Sequence, residues 1–205
     1  MTGGKKQCYS IATRAGFNML VYVDTKIATS ISKAAMLSEL SEMRSNPTKT
    51  FQRLLVIKHG ALGDIIQGFD AFASLRKGFP TAHIAVLTTR PYEKLMLSSN
   101  WFDEVIIDQR ASVWNLLQAM RIRTIFKQNW DKVIDLQCSE RTATYAKLKL
   151  TSTRWFGTAP NATDLMTDFA GITNRKRMLA AVSMAGASKS EPDLSFLTSF
   201  PEIGE

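Results

Sequence analysis

The chain has 205 residues, of which 45% are hydrophobic and 21% charged, and its formal net charge is +8. This composition is ordinary for a globular protein and excludes a wholly disordered chain or a fibrous repeat. The charge is uneven, with +4 in residues 1–50, +5 in 51–150 and −1 in 151–205. A basic balance of this kind favours an anionic partner, which includes nucleic acid, an acidic membrane face and a phosphorylated substrate.

Several classes of site are disfavoured by the residue spacing. The chain has only two cysteines and two histidines, and Cys8 and Cys138 lie far apart without ligand spacing. We therefore predict no disulfide framework and no metal site, and a reducing compartment. No apolar run reaches about 18 residues, so no membrane span is expected. No Lys/Arg block carries interleaved aromatic residues, and we expect no nucleic-acid partner.

Residues 1–50 differ in pattern from the rest and are interpreted as a leader. Apolar residues at helical spacing predict an amphipathic helix within residues 25–46, and "NPTKT" (46–50) then breaks the pattern. One interpretation is a solvated leader or a misassigned start. The other is an interfacial helix that touches lipid.

From residue 53 onward, strand and helix patterns alternate. Apolar, β-prone runs predict strands at 53–58, 82–89, 102–108, 131–137 and 153–158, and apolar stripes predict helices at 64–79, 91–99, 112–129 and 140–150. Alternation of this kind predicts an α/β, Rossmann-like parallel sheet with helices on both faces. Ligands bind such sheets beyond the carboxyl ends of the strands, so the loops at 59–64, 89–91, 108–112 and 137–141 are the candidates.

The pattern weakens after residue 160. Residues 161–172, "NATDLMTDFAGI", are predicted as a helix that begins near Asn161. Residues 186–205 have the composition of a linker.

A glycine turn follows the first strand in "RLLVIKHGALGDIIQ" (53–67). Gly60 and Gly63 allow unusual backbone angles and a close approach of ligand to backbone. Asp64 lies in the first turn of the following helix, where an acid also complements the helix dipole without any catalytic role. The spacing is not the G-x-G-x-x-G fingerprint, so a nicotinamide site is not predicted.

The order of these motifs resembles glycosyltransferase family 9, the bacterial ADP-heptose:lipopolysaccharide heptosyltransferases. The resemblance rests on "LLVIKHGALGDII", "FDAFASLRKGFPTAHIAVLT", "FDEVIID" and "DKVIDLQCSERT" and covers residues 53–200, about the N-terminal half of a family member. It implies one half of a GT-B fold, in which the N-terminal domain binds the acceptor and the C-terminal domain binds most of the donor. It also implies that Asp64 is the catalytic base of an inverting transfer, with no metal involved.

Further substrate-binding residues are predicted at the other strand ends. Gln137, Arg141 and Thr142 follow the fourth strand, and Arg141 lies where the family often has lysine. An arginine there can pair with phosphate or carboxylate on the acceptor, although a solvated surface arginine is the alternative. Arg90 follows the second strand and Arg110 the third, the latter near Trp114, and both are predicted to meet an anionic acceptor.

Other polar residues have plainer interpretations. His59 either faces the cleft or is a satisfied residue at the strand end, and Cys138 is expected to be a small buried filler. Four aspartates are expected to be solvated or capping residues: Asp70, Asp103, Asp108 and Asp131.

The resemblance therefore predicts three segments: a leader (1–50), an acceptor-binding domain (51–185) and the start of an interdomain linker (186–205), without the donor domain. The implied function is transfer of a sugar from a nucleotide-sugar such as ADP-heptose to a lipopolysaccharide-core or related glycan acceptor. No cofactor is needed. The implied location is the bacterial cytoplasm, with peripheral contact at the inner membrane. The alternative is a non-catalytic Rossmann-like module that binds a phosphorylated ligand or a partner protein, and a basic nucleic-acid-binding protein ranks third.

Overall fold

The computed structural model describes residues 6–12, 18–24, 52–110, 116–167 and 171–199. The chain divides into two compact units, residues 1–50 and 51–205. In the first unit, β1 (Lys6–Ala12) pairs antiparallel with β2 (Asn18–Asp24), a hairpin that the sequence interpretation did not include. The amphipathic helix predicted within 25–46 lies outside the described residues.

The second unit consists of strands that alternate with helices. The strands are β3 (Arg53–Ile57), β4 (His83–Thr88), β5 (Glu104–Ile107), β6 (Lys132–Asp135), β7 (Arg154–Gly157) and β8 (Asp164–Leu165). The α-helices are α1 (Leu62–Gln67), α2 (Phe69–Gly78), α3 (Glu93–Ser98), α4 (Leu116–Phe126), α5 (Glu140–Ala146) and α6 (Asn174–Met184). Short 3₁₀ turns occupy Arg90–Tyr92 and Ser195–Ser199.

The six strands form one sheet in the order β5-β4-β3-β6-β7-β8, and every adjacent pair is parallel. The predicted parallel sheet, with its first four strands as neighbours, is confirmed. The chain moves from β3 outward to β5 and then crosses back to β6 on the other side of β3. The order reverses between β3 and β6, which makes their carboxyl ends the topological switch point of a doubly wound sheet.

Helices cover both faces of this sheet, as predicted. Along β3, Leu54 and Val56 face one core, which contains residues of α1, α2 and α6. Leu55 and Ile57 face the other core, which contains residues of α4 and α5. Because successive side chains of a strand point to opposite faces, the residues that follow Ile57 are directed alternately toward these two sides.

The helix predicted at 64–79 is two helices. Gly68 ends α1, where its N–H donates to the carbonyl of Ile65 at 2.9 Å, and it also precedes the first residue of α2. A Cβ at Gly68 would lie 2.9 Å from the Phe72 ring and 3.1 Å from the Ile65 carbonyl oxygen. The chain turns there because glycine alone fits the space.

The helix prediction for 161–172 is wrong. Residues 164–165 form the edge strand β8, whose Asp164 side chain pairs with Arg154 of β7. Helix α6 follows instead, with Thr173 at its N-cap. The segment 186–199 has no α-helix or strand and contains the 3₁₀ turn Ser195–Ser199.

The described helices can be compared with membrane-spanning helices in length and hydropathy. None of them combines the length and apolar character that crossing a bilayer requires.

Candidate active site at the carboxyl end of β3

Two consecutive polar residues leave β3 on opposite sides of the sheet. Lys58 and His59 are both buried, with 0% and 3% of their surface exposed. Lys58 follows the side of Leu54 and Val56, whereas His59 follows the side of Leu55 and Ile57. Each residue is the centre of a separate polar group at the topological switch point.

The first group, here called the Lys58 cluster, contains Lys58, Asp64, Asn174 and Arg177. The ammonium Nζ of Lys58 lies 3.6 Å from Asp64 Oδ2, a distance at which they form an ion pair but no hydrogen bond. Asn174 donates from Nδ2 to Asp64 Oδ1 at 2.8 Å, and Arg177 donates to Asn174 Oδ1 at 2.6 Å. The Asp64 side chain remains 41% exposed, so its carboxylate is held in place and open to a ligand.

Burial lowers the pKa of the Lys58 ammonium below its ordinary value. The Asp64 carboxylate opposes this shift, and the charge of Arg177 adds to it. A cation buried with one partly solvated carboxylate is costly to the fold. The buried Lys58 ammonium therefore holds the Asp64 carboxylate in place but lowers the free energy of unfolding.

The second group, here called the Asp108 cluster, contains His59, Asp108, Gln118, Arg141 and Tyr145. Asp108 is 1% exposed, and both of its oxygens are occupied. Oδ2 accepts the Tyr145 hydroxyl at 2.7 Å and lies 3.2 Å from His59 Nε2, while Oδ1 accepts from Gln118 at 3.2 Å. Arg141 donates to the Tyr145 oxygen at 3.2 Å. Asp108 is thus buried rather than solvated, and its Oδ1 also accepts the backbone N–H of Arg110 at 2.8 Å, as a capping residue would.

The contacts of the Asp108 cluster shift two ionisation equilibria. Burial acts to raise the pKa of Asp108, but His59, Tyr145 and the Arg110 N–H outweigh it and hold that pKa well below the ordinary value. Burial and the hydrogen bond to Asp108 raise the pKa of Tyr145 to about 12. Asp108 is accordingly a fixed anion and Tyr145 a fixed donor at neutral pH.

The two glycines of the turn differ in why they are needed. Gly60 has φ of +132°, and a Cβ there would lie 2.6 Å from the Tyr92 ring. A Cβ at Gly63 would meet no atom within 4 Å. Glycine is required at position 60 by the fold itself, because the Tyr92 ring occupies the space that a side chain would need. Gly63 borders open space beside Asp64.

The turn after β6 is held by its own side chains. Asp135 Oδ1 accepts the N–H groups of Gln137 at 3.0 Å and Cys138 at 2.9 Å, and burial raises the pKa of this carboxyl. Gln137 Oε1 in turn accepts the N–H of His59 at 3.0 Å, which ties the ends of β3 and β6 together. Cys138 is only half-buried, contrary to expectation, and its Sγ–H donates to the Asp135 carbonyl at 3.0 Å.

Arg90 and Arg110 line one open pocket of about 400 Å³ between the ends of β4 and β5, whose wall includes Asp108. Arg90 is exposed and pairs with Glu93 at 2.7 Å. Arg141 reaches the carbonyl of Arg110 at 3.3 Å, so the structure brings these two predicted residues together. Asp64 is not part of this pocket wall.

Thr142 occupies a different environment from the other predicted binding residues. Its side chain is fully buried, and its hydroxyl exchanges hydrogen bonds with Ser139 in a capping box at the start of α5. Trp114 lies outside the described residues. Asp103 and Asp131 act as backbone acceptors for Ile84 and Arg53, as capping residues would. Asp70 is buried in an ion pair with Arg175, so it is not solvated as expected.

Sequence interpretation missed five residues of these clusters: Lys58, Asn174, Arg177, Gln118 and Tyr145. Lys58 had a usable signal, since a lysine that ends an apolar run in a two-sided parallel strand is directed into a core. Asn174 had none, because its contact with Asp64 spans 110 residues. Among the described residues, no group of three or more His, Cys, Asp or Glu side chains has the arrangement of a metal site.

Comparison with known proteins shows the fold. No family model and no curated protein matches the chain. Among solved structures, it resembles E. coli heptosyltransferase WaaC with ADP-2-deoxy-2-fluoro heptose, with a TM-score of 0.58 and 16% identity over 74% of this chain and 56% of that one. A family 9 glycosyl transferase from Veillonella parvula gives 0.58 and 23% over 69% and 43%, and E. coli ADP-heptose lps heptosyltransferase II gives 0.50 and 16% over 64% and 40%.

The chain thus spans about half the length of the solved structures it matches. The fold implied by the sequence resemblance is confirmed, since the chain has the Rossmann-like architecture of a portion of these glycosyltransferases.

Proposed function

We propose that the chain is the acceptor-binding half of an inverting glycosyltransferase in which Asp64 is the general base. The observation that carries this proposal is the Asp64 carboxylate itself, exposed at the switch point and held by Lys58 and Asn174. The fold shared with heptosyltransferases supports it. A carboxylate that is positioned as a general base typically increases the reaction rate by about 10²–10⁴-fold.

The proposed step is a single displacement. Asp64 accepts the proton of an acceptor hydroxyl while that oxygen attacks the anomeric carbon of the donor. The bond from that carbon to the nucleotide diphosphate breaks, and the diphosphate leaves with the electron pair. Gly63 leaves room beside the carboxylate for a bulky acceptor. The ion pair with Lys58 fixes the orientation of the base, which matters because misplaced groups lose most of their catalytic effect.

Acceptor binding is assigned to the basic residues beyond β4 and β5. The pocket lined by Arg90 and Arg110 suits phosphate or carboxylate groups on a glycan acceptor. Arg141 adds positive charge beside it. Gln137 and Thr142 hold the surrounding backbone and support the site without direct contact.

The donor is proposed to be a nucleotide-sugar such as ADP-heptose, and the acceptor a lipopolysaccharide-core or related glycan. A solved structure with the same fold contains an ADP-heptose analogue, which supports this choice. The proposed location is the cytoplasmic face of the bacterial inner membrane. Most of the contacts to the donor would come from a second domain. The matching structures are about twice as long as the part that this chain covers, which is enough for such a domain.

A second candidate is a non-catalytic module that binds a phosphorylated ligand. It is favoured by the pocket of Arg90 and Arg110, which is complete without Asp64. Binding of a phosphorylated glycan with no dependence on Asp64 would support this candidate.

An assay of sugar transfer separates the two. The 205 residues alone should show negligible transfer from ADP-heptose, because the match covers only about half of each glycosyltransferase structure. The same chain fused to a family 9 C-terminal domain should transfer the sugar with inversion at the anomeric carbon, measured by NMR of the product. Robust turnover by the 205 residues alone, or no transfer by a folded fusion with a panel of lipopolysaccharide-core acceptors, would contradict the proposed function.

A further inference from the structure

Helix α4 presents apolar side chains to solvent. Leu116 is 71% exposed, Leu117 75% and Met120 49%. The opposite side of the helix is buried against the sheet through Ile122 and Phe126. These three residues occupy adjacent positions on the outer surface, since residues at i and i+4 share one helix face.

Basic residues continue the same outer surface. Arg121, Arg123 and Lys127 are exposed, and no ion pair joins them to a carboxylate within the part of the chain that the structure describes. The segment 109–130 contains four Lys/Arg residues and no Asp or Glu. We name this surface the α4 patch: Leu116, Leu117, Met120, Arg121, Arg123 and Lys127.

The opposite face of the sheet has a different character. There some basic residues pair with acids, as in Arg175 with Asp70 and Arg90 with Glu93. Leu97 of α3 is also exposed, at 54%, but glutamate accompanies it on that short helix. Helix α4 differs in that its described residues combine exposed leucines with two arginines and include no acidic residue.

We propose that the α4 patch docks on the surface of an anionic phospholipid bilayer. Exposed leucines enter the boundary between headgroups and acyl chains, while arginine and lysine attract anionic headgroups. A second copy of the chain fits less well, because a symmetric contact would place the basic residues against their own counterparts. Gln118, on the buried side of α4, donates to Asp108 of the pocket wall at 3.2 Å, so docking through α4 would hold that pocket near the bilayer.

Vesicle binding by the full chain tests this surface. Vesicles of phosphatidylcholine with phosphatidylglycerol should bind the protein more tightly than phosphatidylcholine alone, and added salt should weaken the difference. The double variant Arg121→Gln/Arg123→Gln should weaken binding by about tenfold or more at low salt. Leu116→Gln/Leu117→Gln should also weaken it by at least about tenfold. Glutamine retains helix propensity, and melting curves verify that both variants fold.

Leu97→Gln is the control, since it removes a leucine that is more than half exposed from the other side of the sheet and should leave vesicle binding unchanged. Equal loss in Leu97→Gln, or unchanged binding in both α4 variants, would overturn the proposal and direct attention to residues 1–50. A change in oligomeric state without a change in vesicle binding would instead make the patch an interface between copies. The vesicle assay contains no donor or acceptor, so its outcome is independent of the proposed transfer activity.

Discussion

The two sides of the β3 end differ in how completely their charges are paired. In the Asp108 cluster, a carboxylate is buried and both oxygens are engaged by neighbouring side chains. In the Lys58 cluster, a buried ammonium is matched with a carboxylate that is 41% exposed and open to a ligand. Closed networks stabilise and orient a fold, whereas a partly open one leaves a charged group available for chemistry. We expect the first cluster to govern stability and the second to govern turnover.

Removal of the Asp108 carboxylate should have the largest effect on stability. Asp108→Ala leaves the Tyr145 hydroxyl buried without its acceptor and removes the carboxylate beside His59 Nε2. We expect a loss of about 3–5 kcal/mol in the free energy of unfolding, measured by urea denaturation at neutral pH. A loss below about 1 kcal/mol would show that the network is not closed in solution.

The same carboxylate predicts an acid dependence. Because its folded-state pKa is depressed, its stabilisation is fully present above the unfolded value of about 3.9 and is lost as pH falls below it. The difference in stability between wild type and Asp108→Ala should therefore shrink in acid.

Lys58→Met should lower turnover and leave stability nearly unchanged, whereas Asp108→Ala acts mainly on stability. Methionine fills a similar volume and removes a buried charge, so the free energy of unfolding should stay within about 1 kcal/mol of wild type or increase. In the fusion with a donor domain, kcat should fall by about tenfold or more, because Asp64 loses the group that orients it. A large loss of stability with normal kcat would make Lys58 a structural anchor instead.

The sequence predicted the features that depend on local patterns and missed those that depend on contacts between distant segments. Apolar runs such as 53–58 predicted the strands, because both faces of a parallel sheet are buried. Helix α6 was missed because three consecutive basic residues (175–177) occupy its first turn and its buried residues Met178, Ala181 and Val182 form only a short apolar face. The glycine turn located Asp64, but contacts such as Asn174 to Asp64 join distant segments and leave no local pattern.

Substitutions at Gly63 and Gly60 should have smaller effects and test whether the acceptor approaches the Lys58 cluster. The methyl group of Gly63→Ala would meet no other described residue within 4 Å, so the variant should be more stable by about 0.4–1 kcal/mol and should have a raised KM for the acceptor if the acceptor approaches there. Gly60→Ala is the contrasting variant, since its positive φ and the Tyr92 ring predict destabilisation. An unchanged KM in Gly63→Ala would place the acceptor elsewhere.

The smallest effect is expected in alkali. Because the folded-state pKa of Tyr145 is raised to about 12, the contribution of its phenol is complete below the unfolded value of about 10 and is lost as pH rises from there to about 12. Ultraviolet titration should show one late phenolate among the four tyrosines, absent in Tyr145→Phe. Titration of every tyrosine near pH 10 would contradict the hydrogen bond to Asp108.

Asp64→Asn in the fusion protein tests the catalytic assignment most directly. Asparagine keeps the shape and most hydrogen bonding but cannot accept the proton, so kcat should fall by about 10²–10⁴-fold with little change in acceptor affinity. The free energy of unfolding should fall by about 1–3 kcal/mol, because the buried Lys58 ammonium loses its partner carboxylate. Near-normal kcat with a lowered melting temperature would instead show that Asp64 only stabilises the start of α1, and would contradict its role as the base.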